Sequence, residues 1–142
     1  MKNKKEVNSK EIKGSTFILQ RKDKKMLMQL RDEKSEHYPN MWCFPGGRGK
    51  IGEKIEDTVA RETKEEFDID LKLENCKLIT KYILPYAPII DYVFLCKLGE
   101  DQKPKLKEGA KMRWMNIEEI QKIKLGFGQE VIISYLEKYL KI

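Results

Sequence analysis

Three glutamates, Glu62, Glu65 and Glu66, stand at i, i+3 and i+4 in the stretch Arg61-Glu62-Thr63-Lys64-Glu65-Glu66-Phe67. Residues with those offsets share one face of a helix. Carboxylates crowded in this way repel each other. A divalent cation among them turns the repulsion into attraction, and a hard ion such as Mg²⁺ takes oxygen ligands. Upstream lies Pro45-Gly46-Gly47, a strong turn signal. An Mg²⁺ site beside a glycine turn points to chemistry on phosphates.

The elements that must position these groups can be read from spacing. Ile55, Val59, Thr63 and Phe67 recur every four residues. That stripe predicts a helix over 56–67, entered after Gly52. On a helical wheel the three glutamates span roughly 100° beside the stripe, which puts them at the edge of a core. Ahead of the helix, Thr16–Gln20 and Met26–Leu30 read as a hairpin, residues 32–40 as a loop, and Trp42-Cys43-Phe44 as a short strand stopped by the glycines. Behind it, Leu71–Leu73 and Leu78–Leu84 read as strands. Ile89–Leu98 is a strongly apolar, central strand, reached through a connection holding Pro85 and Pro88. A polar loop at 99–109 leads to a strand at Lys111–Met115. Asn116 caps a short helix through Ile123, with Glu118 and Glu119 in its first turn, and a last amphipathic helix covers 129–140. The expected class is α+β, a mixed sheet with helices on both faces.

Composition bounds the setting. The chain of 142 residues suits one domain, placed at 14–142 behind a flexible, lysine-rich tail at 1–13. No run of about 18 apolar residues exists, so no membrane span is expected. The lysines at the start are followed by no apolar segment, which argues against a secretory signal. Cys43, Cys76 and Cys96 are isolated and odd in number. A reduced, cytoplasmic setting without structural zinc follows, with Cys43 and Cys96 as small packed hydrophobes. A formal charge of +6 suits an anionic ligand such as a nucleotide polyphosphate. The tail lacks interleaved aromatics, so no nucleic-acid partner is expected.

Read in full, the stretch is Gly47-x5-Glu53-x7-Arg61-Glu62-Thr63-x-Glu65-Glu66-x-Asp68-Ile69, approached through Trp42-Cys43-Phe44-Pro45-Gly46-Gly47. It resembles the Nudix hydrolase family, whose box is G-x5-E-x7-R-E-U-x-E-E-x-G-U with U a bulky aliphatic residue. Thr63 stands where an aliphatic residue is common, and its methyl can still pack. Asp68 replaces a glycine after the helix, in a left-handed position that Asp tolerates at some cost. The resemblance implies a Nudix fold from about residue 14 onward, an α/β/α sandwich with a mixed β-sheet between helices. It also implies hydrolysis of a diphosphate joined to another moiety, often a nucleoside.

Roles then attach to positions. A carbonyl such as that of Gly46 could face the metal, and Glu62 and Glu66, one turn apart, could share one ion. Glu65 could hold a second ion or a metal-bound water. Glu53 could orient that water, and Arg61 could pair with one carboxylate and fix its rotamer. Members of the family take the general base from the box or from a later loop, which makes Glu65 and Glu108 the candidates. The resemblance places Arg31 and Gly47 near the phosphates, and Phe127 and Gln129 at the base, where an amide could read a purine edge. Tyr38, Trp42 and Tyr86 are rival stacking residues, with Trp42 read as core and His37 as a solvated loop residue. The expected cofactor is Mg²⁺, with Mn²⁺ as the alternative. The expected partner is a small nucleoside diphosphate-linked substrate, bound by a monomer or homodimer. The leading expectation is a MutT-type nucleoside triphosphate pyrophosphohydrolase, acting on ordinary or damaged nucleotides and releasing nucleoside monophosphate and pyrophosphate. The alternatives are an ADP-sugar or dinucleoside polyphosphate hydrolase, and a nucleotide-sensing module without turnover.

Overall fold

The computed structural model describes residues 12–107 and 111–140. Glu108 and residues 1–11 of the expected tail lie outside the described residues. Lys13, the end of that tail, accepts a hydrogen bond on its carbonyl from the Gly49 N–H at 2.8 Å.

Strand β1 (Gly14–Gln20) is buried along its whole length. Both of its faces are covered, and its side chains divide between two cores by simple alternation. Ile18 joins Met26, Val93, Leu95, Ile132 and Leu136 on one face. Phe17 and Leu19 join Leu27, Val59, Phe67 and Phe94 on the other. β1 runs parallel to β6 (Ile90–Lys97) and antiparallel to β2 (Met26–Leu30) and β4 (Gly46–Arg48). β2 also carries β3 (Trp42–Cys43) and β7 (Lys111–Met115), and β5 (Cys76–Ile83) closes the far edge on β6. The result is a seven-stranded mixed sheet. Helix α1 (Ile55–Phe67) covers one face. The short α2 (Ile117–Gln121) and α3 (Glu130–Leu140) cover the other. This is the expected α+β sandwich. Among the described residues, no helix is long and apolar enough to cross a membrane.

Helix α1 follows its stripe: Val59, Thr63 and Phe67 are fully buried. Thr63 keeps its place in the core because its hydroxyl donates to the Val59 carbonyl at 2.6 Å, one turn back. Asp68 ends the helix at φ 57°, ψ 39°, its N–H bonded to the Lys64 carbonyl and its carboxylate 3.1 Å from the Lys64 ammonium. The 105–107 segment then docks on the helix end, where Lys105 and Lys107 donate their N–H groups to the Phe67 and Glu66 carbonyls. Those carbonyls have no partner inside the helix. For α2, Asn116 and Glu119 form a reciprocal capping box.

Two expectations need correction. Leu71–Leu73 is not a strand: a single 3₁₀ turn (Leu73–Asn75) follows it, and Leu73 is exposed, with no neighbouring strand to bury it. Gly46 and Gly47 do not turn the chain back. They form β4, zipped against β1 through the pairs Thr16↔Gly46 and Ser15↔Gly47.

Phe67 meets Phe17 edge to face at 6.4 Å and 83° between the sheet and α1. Phe67→Ala is expected to lower the free energy of unfolding by about 3–5 kcal/mol, as a large buried aromatic does. Urea denaturation measures this, and a loss under about 1 kcal/mol would show that α1 is not anchored there.

Candidate active site

The site begins where α1 meets β4. A Cβ on Gly46 would overlap the Ser15 carbonyl, and one on Gly47 would overlap the Glu62 carboxyl group. Glycine is needed here for close approach of two backbones and a side chain. The contact is tightened by the Ser15 hydroxyl, which donates to the Gly47 carbonyl at 2.8 Å.

Arg61 organises the acids around this contact. Its Nε donates to Glu53 Oε2 at 2.9 Å and its Nη2 to Glu53 Oε1 at 3.0 Å, a two-pronged pair. Nη1 donates to Glu62 at 2.9 Å and to Glu65 at 3.2 Å, and Nη2 also reaches the Arg48 carbonyl at 3.1 Å. One guanidinium therefore holds three carboxylates, where the sequence reading assigned it one. Glu53 Oε1 further accepts the Lys50 N–H and the Thr58 hydroxyl. Those bonds, the Arg61 ones above all, pull the Glu53 carboxyl down to about 2. The same pairing raises the Arg61 guanidinium above its ordinary value.

Among the described residues no three Asp, Glu, His or Cys side chains converge as a metal cage. Glu62 and Glu65 turn to Arg61, while Glu66 is buried, with 6% exposure, and lines a cavity beside β4.

That cavity has a volume of about 290 Å³. Its lining combines Glu66, Gly46 and Gly47 with two arginines, Arg31 and Arg48, and with the aromatic Tyr82, Tyr86 and Phe127. Arg31 Nε donates to the His37 carbonyl at 2.8 Å, and its guanidinium lies 4.8 Å from the Phe127 ring centre. Arg48 donates to the Tyr86 hydroxyl at 2.9 Å. His37 stacks on Tyr86 at 4.1 Å. Phe127 sits at φ 60°, a left-handed conformation costly for a bulky residue. The Tyr82 hydroxyl holds it there by donating to its carbonyl at 3.0 Å. Cys43 also lines the wall, but burial pushes its thiol up to about 12, so it is no nucleophile at neutral pH. Asp91 lies in the wall with 5% exposure; burial lifts its carboxyl to about 6, and the Thr16 hydroxyl donates to it at 2.6 Å.

The chain as a whole is similar to known proteins. The NUDIX domain profile matches residues 13–136. The chain belongs to the Nudix family. It is similar to YvcI, an uncharacterised Nudix hydrolase of Bacillus subtilis, with 25% identity over 126 residues, 85% of this chain and 76% of that one. It is also similar to an 8-oxo-dGTP diphosphatase of Buchnera aphidicola, with 29% identity over 105 residues, 74% of this chain and 84% of the relative. Among solved structures, a MutT protein from Methanosarcina mazei superimposes with a TM-score of 0.72 at 22% identity, covering 92% of this chain and 94% of the other. The fold is the Nudix fold, and the chain is a Nudix pyrophosphohydrolase.

The positions singled out in the Nudix box separate into two groups. Gly46, Gly47 and Glu66 line the cavity together with Arg31, Phe127 and Gln129. Glu53, Arg61, Glu62 and Glu65 form the hydrogen-bonded cluster behind them. Gln129 needs a correction. It is 2% exposed, its Oε1 accepts the Phe44 N–H at 2.7 Å, and its Nε2 donates to the Phe44 carbonyl at 3.3 Å. The paired bonds that would read a purine edge are spent on the backbone. His37 is likewise a half-buried stacking partner and not a solvated residue. Arg48, Tyr82 and Asp91 are cavity residues that the sequence reading did not single out.

The Arg61 grip on Glu53 sets a pH dependence. Above the ordinary glutamate value of 4.5 both folded and unfolded chains carry the charged carboxylate, and the stabilisation is complete. As pH falls from there towards about 2, the unfolded chain takes up the proton first and the advantage is lost. Unfolding midpoints between pH 5 and pH 2 should therefore drop less steeply in Glu53→Gln than in the natural chain. Parallel slopes would contradict the assignment.

Proposed function

We propose that the chain is a MutT-type nucleoside triphosphate pyrophosphohydrolase, which releases nucleoside monophosphate and pyrophosphate. The observation that carries this reading is one cavity lined both by acid and arginine side chains and by aromatic rings. Polyphosphate suits the first and a nucleobase the second. Similarity to an 8-oxo-dGTP diphosphatase supports the same substrate class, damaged nucleotides included.

A divalent cation fits the donor set. Glu62, Glu66 and the Gly46 carbonyl are hard oxygen donors, and the missing Cβ of Gly47 leaves room for the Glu62 carboxylate against β4. These residues would hold Mg²⁺, or Mn²⁺ in its place. Bound there, the ion would neutralise the diphosphate and acidify water. Arg31 and Arg48, in the cavity lining, bind the phosphate oxygens. Phe127 and Tyr86 give the base apolar faces. Water adds to one phosphorus, the bridging P–O bond breaks, and the oxygen departs with pyrophosphate. The water proton passes to a carboxylate acting as general base. Glu65 is the exposed member of the Arg61 cluster, with a side chain 53% accessible and a single 3.2 Å bond to Arg61, so it has the freedom to accept that proton. Glu108 is the second candidate. Glu53 and Arg61 act as positioning residues that keep Glu62 and Glu65 in register.

Glu62→Gln and Glu66→Gln should each lower kcat for nucleoside triphosphate hydrolysis in Mg²⁺ by a hundredfold or more, roughly the scale of losing a site's charge stabilisation. Circular dichroism should report an intact fold. Chromatography of the products should give monophosphate and pyrophosphate. Release of inorganic phosphate, or full activity in both variants, would overturn the reading.

A further inference from the structure

Asp91 is the buried carboxylate for which the proposed chemistry has no use. It sits on β6 among apolar neighbours and shares the inward face of Val93 and Leu95. Its side chain lines the cavity beside Gly14, Thr16 and Tyr82, on the sheet face that α3 covers, and Glu66 of α1 lines the same cavity. Burying a carboxylate costs free energy unless partners compensate. The Thr16 hydroxyl donates a hydrogen bond to its Oδ2. Oδ1 lies over Gly14, where any Cβ would come within 2.6 Å of it. Gly14 and Asp91 both line the cavity, and Gly14 has no side chain to cover Oδ1. The charge on Asp91 is also felt by the Tyr82 hydroxyl, whose proton is held more tightly as a result of burial first and Asp91 second.

From this geometry we infer that Asp91 is a specificity-determining residue: its Oδ1 accepts a hydrogen bond from an exocyclic amino group of the nucleobase bound in the cavity. The inference rests on the nucleotide reading above. Gln129 cannot supply this contact, because its amide is spent on Phe44. Among the cavity residues of β1, β5 and β6, Asp91 is the carboxylate, and it is paired across the strands with the aromatic Tyr82. A site built to accept a donor discriminates sharply against an analogue that lacks it, because a buried acceptor is then left unpaired.

The test compares triphosphates that differ by one amino group: guanosine against inosine, and adenosine against purine riboside. kcat/KM is measured in Mg²⁺ for the natural chain, for Asp91→Val and for Asp91→Asn. Equilibrium binding of the matching α,β-methylene analogues provides a second readout that needs no turnover. Valine suits an inward strand position and removes the acceptor, whereas asparagine keeps the shape and one acceptor. The natural chain should favour the amino-bearing member of at least one pair by roughly tenfold or more. Asp91→Val should erase that preference through KM, and Asp91→Asn should retain part of it. Unchanged ratios in both folded variants would overturn the role of Asp91 while leaving the pyrophosphohydrolase reading in place. If the natural chain neither hydrolyses nor binds any of the four nucleotides, the substrate reading and the Asp91 role fall together.

Discussion

The structure depends on one crowded contact, the carboxylate of Glu62 pressed against the backbone of Gly47. It exists because β4 lacks side chains where α1 crosses it. The contact fixes the height of α1 over the sheet. With that height set, Arg61 can reach the Arg48 carbonyl on β4 and the acids of its own helix at once. A methyl group at Gly47 would push the helix outward and break several bonds together.

Electrostatics explains why four acids can be concentrated on so short a stretch. Arg61 neutralises part of their charge and gives each partner a preferred direction, with the tightest pairing to Glu53. Arg21, by contrast, pairs with Asp23 in an exposed turn, where such pairs contribute little. The Arg61 cluster is partly buried and multivalent, so its members constrain one another. Glu66 is separated from it by the turn of the helix and is presented to the cavity, with its backbone held by the incoming Lys107 N–H. The helix thus directs acids two ways: one set into a rigid network, one residue into the space where a ligand fits.

Much of this was legible in the chain, for reasons that are local. The four-residue stripe of α1, the Asn116 cap and the alternating apolar strands express rules that act within a turn or two, and they appear where expected. The left-handed Asp68 was legible too, since few residues accept that conformation. What escaped was long-range. Pro45-Gly46-Gly47 carries turn chemistry, and only its partners Ser15 and Glu62, 31 and 16 residues from Gly46, make it a strand needing bare backbone. Gln129 looked available because Phe44, 85 residues away, is invisible from its neighbours. Leu71–Leu73 looked like a strand because an alternating Leu-Lys-Leu does not reveal whether a neighbour waits to bury it. Asp91 did leave a signal: a carboxylate at an inward position of an apolar strand is costly, and such costs concentrate at functional sites.

The most direct test is the anomalous diffraction of Mn²⁺ in crystals grown with a non-hydrolysable nucleoside triphosphate analogue. The account expects the ion to be bound by carboxylate oxygens of Glu62 and Glu66 and by the Gly46 carbonyl, touching the analogue's phosphates, while Arg61 still grips Glu53. An ion held by the phosphates with neither glutamate in contact would contradict it.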